Sequence, residues 1–159
     1  MFQSALEREE YLFILDNCTY YLEPDSPDYQ KYVGMTYLKI DSNSQYDILK
    51  STRHFGPMCF YLTWHNVCDN ILIYFIDNKM ISEAIDIVSL YHSLHKDSKG
   101  ISVCDDSSNE INYLQAYIDN DSLQKTQADL ALKSYIEYVE KQKEHSENIE
   151  KMHGRKWSK

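Results

Sequence analysis

The stretch from Pro57 to His95 constrains this chain more than any other. Apolar residues recur through it at helical spacing, with one short polar break. Phe60, Trp64, Val67, Ile71 and Phe75 fall on one stripe, and Tyr61, His65, Cys68, Leu72 and Ile76 on a second beside it. Two adjacent stripes predict a helix from about Met58 to Ile76, buried over most of its girth, with Pro57 in its first turn and Trp64 in the core. Thr63, Asn66, Asp69 and Asn70 are left on its polar arc. After Asp77-Asn78-Lys79, the residues Ile81, Ala84, Ile85, Val88, Tyr91 and His95 share one face of a second helix. So short a break predicts an antiparallel hairpin.

The segment from Asp77 to Tyr91 resembles the helix junction of tetratricopeptide or pentatricopeptide repeats. No second copy follows at a fixed period, so the segment is read as a generic helical hairpin. Ser4 and Glu7 form a capping box that predicts a helix from Ala5 to Leu22. Residues 23–57 hold all three prolines and read as a long irregular connector, with a short helix near Asp28 to Lys39. A further helix is expected over Glu110 to Ile118. Asp121 and Gln124 then open a long helix with Leu123, Ala128, Ala131, Leu132, Tyr135 and Val139 on one stripe. The fold class is therefore all-α. Residues 1–153 read as a single-domain bundle of about five to seven helices around the central antiparallel helical hairpin, and 154–159 as a basic, disordered tail.

Charge shapes the expected function. The chain carries a formal charge of −9. Its last nine residues hold four cations and no acid, so the first 150 carry −13. An acidic body repels phosphate, which argues against direct nucleic-acid binding and against anionic membrane, and favours a basic protein partner. The acids are densest between Asp97 and Asp129, where seven face two lysines. Asp97, Asp105, Asp106, Glu110, Tyr113, Tyr117, Asp119 and Asp121 are the expected partner-binding residues. The 14 tyrosines suit such an interface and are expected mostly at the core edge or surface.

The four cysteines form no CxxC, no leader with a basic start and apolar run opens the chain, and no apolar run approaches a membrane span. These features predict a reduced, cytoplasmic setting. No Gly-rich phosphate loop or nucleophile elbow occurs, and no cofactor is expected. Cys59 with His54 is the best thiol–base pair on offer. His65, Cys68, His92 and His95 form two i, i+3 pairs on the two hairpin helices, an acceptable tetrahedral zinc set. The favoured reading is a non-enzymatic acidic module that docks on and blocks or scaffolds a basic protein, such as an immunity protein of a nuclease toxin or another inhibitor. The alternative is a small metal-dependent helical enzyme or metal sensor built on the His/Cys quartet.

Overall fold

The computed structural model describes residues 2–97 and 110–154, the last five by backbone alone. Every regular element among the described residues is helical. The α-helices are α1 (Phe2–Glu7), α2 (Tyr11–Tyr21), α3 (Pro27–Ser42), α4 (Phe55–Trp64), α5 (Asp69–Asp77), α6 (Ile81–Leu94), α7 (Glu110–Asn120) and α8 (Lys125–Gly154), with one 3-10 turn at Tyr46–Ile48. All-α is correct; eight α-helices exceed the expected number because two predicted helices are each broken in two.

The breaks share one chemistry. After α1, α3, α4 and α5 the chain turns through a left-handed residue, respectively Glu9 (φ 58°), Ser44 (φ 52°), Asn66 (φ 59°) and Lys79 (φ 63°). At each, two amides reach back to the preceding helix, as when Val67 N donates to Leu62 O (2.9 Å) and Asn66 N to Thr63 O (3.2 Å). This is the Schellman stop, whose left-handed position ordinarily falls to glycine. None of the four positions here is glycine; Asn66 is a residue that can take its place, whereas Glu9 carries no composition cue. Ser4 lies inside α1, where its Oγ accepts from Arg8 Nη1 (2.8 Å), and does not act as a cap.

The supposed connector is largely ordered. Ser26 caps α3 by accepting from Tyr29 N (3.2 Å), and Pro27 follows at the first helical position. Ser-Pro is the local signal for this start: a hydroxyl cap followed by a residue whose fixed φ suits the first helical turn. Val33, Tyr37 and Ile40 of α3 enter the core with Leu15 of α2, Met58 and Leu62 of α4, Leu72 and Phe75 of α5, and Leu132 of α8. Helix α6 packs against both α4 and α5, so the central hairpin is α5–α6 with α4 laid across α6. On α8, Ala128, Ala131 and Leu132 are buried as expected, but Leu123, just ahead of it, is 78% exposed.

A buried polar lock joins these helices. Asp69, at the start of α5, accepts from Tyr117 Oη of α7 (2.9 Å) and from the amides of Leu123 (2.7 Å) and Gln124 (2.9 Å) just ahead of α8. It thus caps a helix 55 residues away in sequence. Its neighbour Asn70 donates to Asp41 (2.9 Å) and accepts from Gln124 Nε2 (2.7 Å), while Tyr46 Oη donates to Asp41 (2.6 Å). Burial pushes the Asp41 carboxyl up, against the lowering effect of these two donors. Five of the 14 tyrosines are buried (Tyr11, Tyr37, Tyr46, Tyr91 and Tyr117), and the other nine lie at the edge or surface.

Candidate docking surface

Asp105 and Asp106 lie outside the described residues. Asp97, Glu110 and Asp119 are exposed, whereas Tyr117 is buried behind Asp69 and Asp121 turns its carboxylate toward His92 (3.8 Å). Tyr113 is half-buried, its hydroxyl 3.1 Å from His92 Nδ1. The described residues of the stretch therefore divide between surface and interior.

The His/Cys quartet is dispersed as well. The left-handed Asn66 falls between His65 and Cys68 and breaks their i, i+3 helical register, and the His65 ring lies tilted against Tyr61 (4.3 Å). His95 Nε2 donates to the carbonyl of Thr63 (3.0 Å), which places its proton on that nitrogen. Because Tyr117 spends its hydroxyl proton on Asp69, the Cys68 thiol donates to Tyr117 Oη (3.4 Å), and burial pushes that thiol up to about 11. Burial lowers the His92 pKa, with Asp121 opposing it. No group of three or more His, Cys, Asp or Glu suited to a metal ion exists among the described residues. Burial raises the Cys59 thiol to about 12, away from the thiolate a nucleophile needs, and His54 faces Asp16 (2.9 Å).

What the surface does offer is aromatic. A hollow of about 320 Å³ opens between α3, which supplies Tyr29, Val33 and Tyr37, and α4, which supplies Pro57, Phe60, Tyr61 and Trp64, with His65 following. Phe60 and Trp64 pack ring on ring (5.7 Å) yet are 46% and 57% exposed. A second hollow, of about 690 Å³, lies among α1, α2 and α3, with Phe2, Phe13, Cys18, Tyr21 and Tyr32 in its walls. Phe13 there is 56% exposed. Tyr32 in the wall of the second hollow stands three and one residues along α3 from Tyr29 and Val33 in the wall of the first. None of the residues lining either hollow is charged, and His54 to Cys68 contains no Asp, Glu, Lys or Arg. Exposed apolar rings gathered around a hollow in this way mark a candidate interaction site. Trp64, expected in the core, belongs to it, because the stop at Asn66 ends the helix whose continuation would have buried that ring.

Gly34 shapes the floor of the first hollow. A Cβ at this position would meet Tyr61 Oη at 2.5 Å, so the glycine lets the phenol lie down on α3. Gly34→Ala is expected to displace Tyr61 and cost about 1 kcal/mol net. In a Tyr61→Ala background the same change should instead gain about 0.5–1 kcal/mol of helix propensity. Urea midpoints of the four proteins check this; additive effects would separate Gly34 from Tyr61.

The family model of the mitochondrial 28S ribosomal protein S22 matches residues 1–96, which span α1 to α6 and both hollows. The chain belongs to this family. Two curated proteins named small ribosomal subunit protein mS22, from Bos taurus and Mus musculus, are each 31% identical to it, over 85% and 86% of this chain. The chain spans 38% of the length of either. The S22 family is one of ribosomal proteins, not of enzymes, as the non-enzymatic reading of the sequence has it. It overturns the immunity-protein and inhibitor reading and its rival, the metal-dependent enzyme or sensor. It also overturns the cytoplasmic placement, since the family is mitochondrial, and the pairing of a basic protein partner with an exclusion of nucleic acid, since a ribosome is built of RNA and many proteins. The error came from treating average charge as a guide to partners: a negative total says nothing of a local surface that holds no charge.

Proposed function

We propose that this chain is a structural component of the small subunit of a mitochondrial ribosome, seated there by the uncharged aromatic surface of α2, α3 and α4. The observation that carries the reading is the family match over α1 to α6, the part of the chain that forms this surface. Residues 1–153 act as one helical domain in this reading, supported by contacts that link α1 to α2, α2 to α3, α3 to α4 and α5, and α5 and α6 onward to α7 and α8.

The test is sedimentation. A tagged full chain delivered to mitochondria is expected to travel with the small ribosomal subunit on a sucrose gradient. Phe60→Ser with Trp64→Ser should lower that fraction by at least about tenfold, as when hot-spot aromatics are lost, without changing helix content. Wild-type chain that stays with free proteins at the top of the gradient overturns the reading.

A further inference from the structure

We infer that the hollow between α3 and α4 receives the apolar face of an amphipathic α-helix from a neighbouring protein, an inference that rests on the subunit role proposed above. Charge is the first ground. The walls hold no cation, so a nucleic-acid backbone laid in this hollow would find nothing to neutralise its phosphates. Aromatic rings do stack on bases, but single-strand platforms combine those rings with a positively charged groove. A charged peptide face would likewise be stripped of water with no partner here. The occupant that fits is uncharged where it touches.

The backbone is the second ground. Both walls are helices, α3 and α4, whose amides bond within their own turns. No strand edge exists among the described residues, so an extended peptide has no ladder to join. Recognition falls to side chains. Those side chains form two rows at one-turn spacing, Tyr29 and Val33 on α3 and Phe60 and Trp64 on α4. Rows at i, i+4 on packed helices leave a groove that accepts the i, i+3, i+4, i+7 ridge of a third helix. Tyr61 and His65 add polar atoms beside this apolar floor, which suits the boundary between the two faces of an amphipathic helix.

The test places a photoreactive benzophenone side chain at Phe60 of the full chain in mitochondria, irradiates, and sequences what is attached. The expected product is a single protein segment, resistant to ribonuclease, with apolar residues at helical spacing. Trp64→Glu should reduce it by at least about tenfold, the mark of a hot-spot aromatic, and the same group at Glu140 should not yield it. Attachment to RNA, to an extended segment without helical spacing, to a second copy of this chain, or to nothing overturns the inference. The same irradiated sample is run on the gradient. A chain that sediments with the small subunit but lacks the helical product refutes this inference alone. A chain outside the subunit refutes the proposed role, while the sequence of the attached segment still decides the occupant.

Discussion

Replacing Asp69 with alanine is expected to destabilise the fold by about 3–4 kcal/mol, a large share of the roughly 5–15 kcal/mol that holds a domain of this size. The side chain is buried and accepts three hydrogen bonds, from Tyr117 Oη, Leu123 N and Gln124 N. Its loss strands the Tyr117 hydroxyl proton and the Leu123 amide, leaves Gln124 N with Ser122 Oγ alone (3.1 Å), and removes the tie between α5 and the α7–α8 turn. Bonds to a carboxylate are individually worth about 1.5–3 kcal/mol and a cap about 0.5–2, but they share one acceptor and do not add. Asp69→Asn retains one acceptor oxygen and should cost about half as much. Glu140→Ala, on the exposed length of α8, should stay within about 0.5 kcal/mol. Urea denaturation of the three variants is the measurement; equal midpoints for Asp69→Ala and Glu140→Ala would show that the lock contributes nothing.

Phe75→Ala is expected to cost about 3–5 kcal/mol, as for aromatic rings removed from cores. Phe75 is 1% exposed and meets Phe55 edge-on at 6.2 Å. Trp64→Ala should cost about 1 kcal/mol or less, because more than half of that ring already faces water. The stripes instead predict equal losses, with Phe75 and Trp64 on one core stripe, and make Asn66 an indifferent polar position. Asn66 holds the left-handed turn that ends α4, a conformation that asparagine tolerates and β-branched residues resist. Thermal melts settle it: a Trp64→Ala loss equal to that of Phe75→Ala would restore the continuous helix.

The contrast shows how far the sequence could be read. Periodicity located Leu72, Phe75, Ile76, Ala84 and Val88 in the core, because over single helices it reports the inward face directly. It failed across Asn66 and Glu9, where a stop without glycine leaves the stripe unbroken in sequence and rotated in space. Phe60 and Trp64 look like core residues for the same reason their surface is a docking candidate: they are large, apolar and uncharged. The cap from Asp69 to the start of α8 joins residues 55 apart and leaves no local pattern at all.

Helix α8 gives the molecule a lever. Its root is fixed by the Asp69 lock and by Lys79, whose ammonium lies 3.6 Å from the centre of the Tyr138 ring. Every side chain described from Glu140 to Ile149 is exposed, and the helical backbone continues to Gly154, about 22 Å from Glu140 onward at 1.5 Å per residue. A long helix rooted in the core converts rotation into displacement: about 10° of tilt at Tyr138 would carry the tip sideways by about 4 Å over that length. Small repacking around α5 is therefore magnified at the far end, and whatever grips that end in turn applies torque to the core.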